Sequence, residues 1–373
     1  MKIKTITTWA DYNYGASLQA YALLTFLKGE GHDVELIKYL PSYQTRMYDY
    51  MWVNPESKAS RFWITRWLYR IVKFFQRMTT LKRKRIFDDF NFGELATTNK
   101  TYLNYEELMK YPPEADLYLV GSDQVWNVLY DAGNDPAFYL EFVKNGIKAS
   151  YAASFSYLEI DEKNKQRIAK SLKDFKAVAV REFHGCDLLK KMGVESTWVL
   201  DPVFLLSVDE WICFAKHSQK EDLSRPYLLV YDFEGNIRLK SFVKEYAKRN
   251  NLEIYAIVDK FPISYANKNF KNAGPREFVD LIARCHTFVS NSFHGTAFSI
   301  MFHKPFFVFN RNRHKVNSRM ESLLALFEMT DNIVSDEKTF ETYLKKQFNW
   351  NKVERIRKEQ LSKSIDYLKR LGV

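Results

Sequence analysis

The chemistry-bearing residues of this chain cluster where apolar runs end. The stretch Ser290-Asn291-Ser292-Phe293-His294-Gly295-Thr296 leaves an apolar run and enters a helical pattern. A helix start carries free N–H groups and a positive dipole end, so it suits a phosphate or carboxylate, and Gly295 would let a ligand approach the backbone. His294 there can exchange protons near neutral pH. The plainer reading, equally open, is that Ser292 caps the helix and His294 packs inside. Arg181 directly follows the apolar run Ala177 to Val180, which brings a planar donor to the crevice rim. Taken alone, it reads more readily as an ion-pair partner of Glu182 or Asp201. In Gly121-Ser122-Asp123, the aspartate could accept a proton from a hydroxyl or could simply cap a helix. Asn13-Tyr14-Gly15 forms a fourth strand-to-helix turn of the kind that faces a ligand.

Positioning these residues takes a parallel sheet. Lys2 to Thr8, Ala16 to Lys28 and Asp33 to Tyr39 read as strand, helix and strand, and the alternation resumes at Asp116 to Val120. Strands at Lys148 to Ala153, Ala177 to Val180 and Thr197 to Leu200 follow, the last ending at Asp201-Pro202. A second series runs from Tyr227 to Phe309 and delivers Asn291 to Gly295 at a strand end. In open parallel sheets the ligand crevice lies at the carboxyl ends of the strands, so these polar ends should converge. The predicted fold is two tandem Rossmann-like α/β domains, at 1–207 and 226–373. A polar connection at 208–225 joins them, and a charged amphipathic helix ends the second. Residues 42–110 interrupt the first domain as a mostly helical basic insertion.

Length and composition narrow the classes. With 373 residues, 46% of them apolar and 16% aromatic, the chain can bury sizeable cores and is no small binding module. No apolar run approaches the roughly 20 residues that span a bilayer, and residues 1–40 contain no apolar signal core, which predicts a cytoplasmic protein. Cys186, Cys213 and Cys285 are too few and too scattered for a disulfide framework or structural zinc, and no metal or cofactor is expected. Neither Gly-x-Gly-x-x-Gly, a Walker lysine, His-Glu-x-x-His nor Gly-x-Ser-x-Gly occurs.

The formal charge is +11, and Arg61 to Phe90 holds nine Lys/Arg against two Asp, a net +7. On a helical wheel Trp63, Trp67, Ile71, Phe74, Met78 and Leu81 share one face, opposite Arg66, Arg70, Lys73, Arg77 and Lys84. That is the pattern of an interfacial helix, giving peripheral contact with the inner face of a membrane through 61–85. A helix docked by its apolar face with a solvated basic back fits equally well. Nucleic acid is the weakest reading.

Taken in order, Asn13 to Tyr21, Gly121 to Asn127, Val180-Arg181-Glu182, Asp201 to Phe204 and Asn291 to Gly295 resemble the polysaccharide pyruvyl transferase family. The likeness runs from about Asp11 to Phe309, outside most of the insertion. It implies a fold like that of the GT-B glycosyltransferases. It also implies transfer of the enolpyruvyl unit of phosphoenolpyruvate to two hydroxyls of a sugar in a capsule, exopolysaccharide or cell-wall glycan, with a lipid-linked acceptor among the options. On this resemblance His294 moves the proton, Arg181 binds the donor's anionic groups, and Asn291, Ser292 and Gly295 complete the phosphate end. Asp123 with Ser122 and the turn Asn13-Tyr14-Gly15 face the acceptor. Some members carry Arg-Leu-His where this chain has Ser292-Phe293-His294, so Arg311 or Arg313 replaces the missing arginine, or the donor is held differently. The other enzymatic reading is a GT-B-type glycosyltransferase using a nucleotide-sugar.

Overall fold

The computed structural model describes residues 1–46, 48–49, 51–54, 57–157, 159–216, 223, 225–259, 261–311, 317–335 and 339–373. The first half contains β1 (Lys2–Ile6), α1 (Tyr14–Gly29), β2 (Asp33–Tyr39), α2 (Ser42–Thr45), α3 (Trp63–Met78), α4 (Leu81–Gly93), β3 (Thr97–Tyr102) and α5 (Tyr105–Lys110). It continues with β4 (Leu117–Val120), β5 (Ile147–Ser150), α6 (Glu162–Leu172), β6 (Ala179–Val180), α7 (Phe183–Lys191) and β7 (Thr197–Trp198). After α8 (Val208–Lys216) come β8 (Tyr227–Tyr231), α9 (Ile237–Arg249), β9 (Glu253–Ile257), β10 (Lys268–Phe270), α10 (Pro275–Arg284), β11 (Thr287–Ser290), α11 (Phe293–Met301) and β12 (Phe306–Val308). The chain closes with α12 (Ser318–Leu326), α13 (Phe340–Leu344) and α14 (Trp350–Lys369).

Two parallel sheets result, ordered β3-β2-β1-β4-β5 and β10-β9-β8-β11-β12, and the short pair β6-β7 extends the first through bridges at Ala149–Ala177 and Ala153–Val180. Strands covered on both faces should be continuously apolar, as β4 (LYLV) and β8 (YLLVY) are, and every residue of both is buried. In each sheet the order reverses at its first strand, with β1 between β2 and β4, and β8 between β9 and β11. This is the switch point at which a crevice opens.

Three elements depart from the expected plan. β3 lies inside the anticipated helical insertion as an edge strand beside β2; its sequence TTNKTY lacks an apolar run because one side faces water. The connecting stretch opens with α8, whose Trp211 and Phe214 join the core between the domains. The helix at the end of the second domain packs on the first. In α14, Ser364 Oγ accepts the Leu200 N–H at 2.9 Å and the Tyr367 hydroxyl donates to Ser150 O at 2.7 Å.

α1 is buried almost all round, because one side covers the first sheet while the other meets the turn at Pro202–Phe204, α10 and α11. Its pattern therefore extends beyond the single inward stripe of a surface helix. One hydrophobic cluster runs from Ile3 and Leu36 through Leu18 and Trp211 to Phe298 and Leu324, so the two sheets share a core. Among the described residues no helix is long and apolar enough to cross a membrane.

Candidate active site

A cavity of about 490 Å³ opens between the two sheets, at the carboxyl ends of their strands. Thr8, Asp11 and Asn13 line it from the loop after β1, Asp123 and Gln124 from the end of β4, and Tyr43 and Gln44 from α2. The second domain contributes Phe233, Asn291, Ser292, Phe293, His294, Arg311 and Arg319. Residues far apart in the sequence thus converge as the parallel-sheet reading required.

His294 lies in the first turn of α11, whose start is fixed by Ser292; the Ser292 Oγ accepts the Gly295 N–H at 3.3 Å. Its ring crosses the domain boundary and rests on Gly15 of α1, where a Cβ would come within 1.9 Å of the imidazole Nδ1. Glycine is required there because the imidazole fills the space of a side chain. The Nε2 atom faces Asp201 Oδ2 at 3.4 Å. The same carboxylate oxygen accepts from Arg181 Nη1 at 2.6 Å and from Ser122 Oγ at 3.3 Å, all out of solvent. Burial pushes the Asp201 carboxyl up, but His294 and Arg181 overcome it and hold Asp201 well below the usual carboxylate range.

Several expected ligand contacts take structural roles. Arg181 does not reach the rim. Its side chain is only 1% exposed, with the guanidinium between Asp201 and Asp123 (Nη2 to Oδ1, 3.4 Å) and over the Phe293 ring at 4.4 Å. The ion-pair reading holds in a buried form, because β6 ends beside the Asp201 turn. Ser122 is bonded to Ala152 O and Asp201, and Tyr14 points away to donate to Ala273 O at 2.8 Å and stack on Phe278. Gly295 leaves room for Phe288, whose ring would meet a Cβ at 2.5 Å, rather than for a ligand. Asn13 caps α1 through the Gly15 N–H and still lines the cavity. Asn291 also lines it, while accepting the Phe233 N–H and donating to Asp232. Arg311 is in the wall with its Nε 3.3 Å from Glu234 Oε1. Arg313 lies outside the described residues.

Residues 13–313 match the model of the family described as Polysaccharide pyruvyl transferase, a span that contains every cavity-lining residue except Thr8, Asp11 and Arg319. The chain belongs to that family. No curated protein sequence matches it. Among solved structures, it is similar to a UDP-GlcNAc 2-epimerase of Methanocaldococcus jannaschii in complex with UDP-GlcNAc and UDP. There the TM-score is 0.51 at 13% identity, over 95% of this chain and 98% of that one. A glycosyltransferase of Streptomyces sp. SF2575 complexed with thymidine diphosphate covers 100% of this chain and 99% of its own at 12% identity, with a TM-score of 0.46. The fold is the two-domain α/β arrangement of GT-B proteins, two parallel sheets each reversing order at its first strand.

In this polysaccharide pyruvyl transferase two further residues stand out in the cavity wall, neither of them part of the sequence motifs. Arg319 enters from α12, with its Nη1 3.8 Å from Asp123 Oδ1 and its guanidinium 5.6 Å from the Phe293 ring centre. Burial, with the like charge of Arg181 second, pushes it down to about 10. It occupies the part of the wall where the sequence had sought a replacement arginine. A polar residue on a helix far from any strand end gave no signal.

Asp11 is the second, in the loop between β1 and α1. Burial, with the Asp123 charge second, pushes its carboxyl up to about 7. Between about pH 4, where the unfolded group ionises, and about 7, the folded chain holds a proton that the unfolded chain has released. Stability therefore falls as pH rises through that window. Asp11→Asn removes this loss. The melting temperature of the variant relative to the parent should rise between pH 5 and pH 8, as read by thermal denaturation across pH; a difference independent of pH would refute the assignment.

Proposed function

We propose that the cavity transfers the enolpyruvyl unit of phosphoenolpyruvate to two hydroxyls of one sugar of a surface or capsular polysaccharide precursor, forming a cyclic pyruvate ketal and releasing phosphate. The observation that carries this reading is His294 at a helix start, backed by the buried Asp201 and facing the same cavity as Asp11, Asp123, Arg311 and Arg319. Such a site combines a proton carrier, a cationic wall and carboxylates, which this reaction needs together.

The steps follow from the chemistry of the donor. His294 delivers a proton to the methylene carbon of phosphoenolpyruvate, making a methyl group and leaving positive charge on the central carbon. One sugar hydroxyl bonds to that carbon and gives its proton to Asp123 or Asp11. The carbon–oxygen bond to phosphate then breaks, and inorganic phosphate departs with the bonding pair. The second hydroxyl closes the ring on the same carbon, and its proton returns to the carboxylate and imidazole pool. Asp201 balances the charge that arrives on the imidazole. Arg319, with Arg311, holds the donor's carboxylate and phosphate, and Arg181 serves from behind by fixing Asp201 and Asp123.

Arg319→Ala tests the donor side. Loss of a charged hydrogen-bonding partner corresponds to roughly a ten- to hundred-fold rise in KM for phosphoenolpyruvate. The fold should survive, since removing a cation beside Arg181 relieves repulsion. Binding itself is read from melting temperature. Phosphoenolpyruvate at about one hundred times its Kd should stabilise the parent by about 2.7 kcal/mol. A shift with UDP or GDP and none with phosphoenolpyruvate would favour nucleotide-sugar glycosyl transfer instead.

A further inference from the structure

The basic insertion contains two helices that behave oppositely. α4 faces inward: Phe87 and Phe90 join the main core, and Arg83 crosses to Asp259 of the second domain at 3.1 Å. The helical wheel that ran on through Leu81 breaks at Thr79-Thr80, so α3 stands outside. It docks by its polar stripe. Arg66 Nη2 donates to Ser60 O at 2.8 Å, Arg70 Nε to Met51 O at 3.1 Å, and Lys73 Nζ to Asp49 O at 2.7 Å and Trp52 O at 2.5 Å, while Arg77 lies over the Tyr48 ring. Of its 16 residues only Lys73 is buried.

The consequence is an apolar half-cylinder turned outward. Trp63 is 74% exposed and Trp67 60%, and Ile64, Leu68, Ile71 and Phe75 are exposed beside them. A helix docked on its own protein would be expected to turn this face inward, so the reading of α3 as an ordinary packed helix with a solvated basic back does not describe it. A contiguous exposed apolar patch of this kind marks an interaction surface.

We propose that α3 seats the protein on an anionic lipid bilayer, lying flat with its tryptophans at headgroup depth. Charge decides between a bilayer and a second copy of the chain. Residues 61–90 carry a net +7, and Arg61, Arg66, Lys82 and Arg85 in that segment are exposed. A two-fold contact of this face with itself would bring two such basic segments together, whereas anionic headgroups complement them. Sixteen residues make a helix about 24 Å long, suited to lying along an interface and too short to span one. The same insertion supplies Tyr43 and Gln44 to the cavity wall, so lipid seating and the cavity belong to one structural unit.

The test is sedimentation of the full chain with vesicles of phosphatidylglycerol or of phosphatidylcholine, and it needs no turnover. The parent should partition to phosphatidylglycerol vesicles at least about tenfold more strongly than to phosphatidylcholine, with the preference shrinking as salt rises. Trp63→Ser with Trp67→Ser should lower binding about tenfold and leave the melting temperature unchanged, since both side chains are exposed; Arg61→Gln with Arg66→Gln should remove the lipid preference. A parent that stays in the supernatant with both vesicles overturns the proposal, as does binding that the tryptophan variant retains. A dimer in sedimentation velocity that the tryptophan variant disperses would assign the face to a second copy and overturn it equally.

Discussion

His294→Ala is expected to reduce phosphate release from phosphoenolpyruvate, in the presence of a competent acceptor, by a factor of roughly 10² to 10⁴, the usual range for losing a positioned general acid. The fold should persist, because Arg181 still neutralises Asp201 at 2.6 Å when the imidazole is gone. Circular dichroism and melting would separate loss of chemistry from loss of structure. His294→Gln adds a control for shape, since it keeps a side chain against Gly15 without an acidic ring proton. If alanine and glutamine variants both turn over at the parent rate, His294 is not the proton carrier and the reaction assigned to the cavity must be redrawn.

Asp201→Asn should be the most damaging change to the fold among the residues around the cavity. Asparagine can still accept the Val203 N–H that caps the following turn. It cannot neutralise Arg181, which would retain only Asp123 at 3.4 Å. Removing one partner of a buried ion pair costs about 3–5 kcal/mol, corresponding to a melting temperature lower on the order of 10 °C. The pH dependence identifies the cause. Because its folded pKa is depressed, Asp201 contributes stability fully above about pH 4, where the unfolded group ionises. That contribution is lost as pH falls through the depressed folded value. The gap between parent and variant should therefore narrow in strong acid, and a gap constant with pH would remove the ion pair as its origin.

The convergence of Asn13, Asp123, Asn291, Ser292 and His294 was legible because parallel strands deliver their ends to one edge, and uninterrupted apolar runs mark such strands clearly. What a side chain does after leaving the strand was less legible. Arg181 turns inward to Asp201 and Asp123 instead of emerging, which depends on a carboxylate placed by a different strand. Gly295 reads as an opening for ligand and Gly15 as part of a ligand-facing turn, yet each makes room for a ring of its own protein, Phe288 and His294. Arg319 had no local mark at all. For α3, periodicity separated an apolar face from a basic one correctly, but a wheel does not tell which face turns outward; the carbonyls of Asp49, Met51 and Trp52 decide that.

The hydrogen bonds from α14 to Leu200 and Ser150 tie the last helix to the first sheet. During synthesis these two contacts can form only once residues 364–367 have left the ribosome, after every strand they touch. A change that removes residues 364–367 therefore acts on the β5 and β7 side of the first sheet, far from it in the sequence.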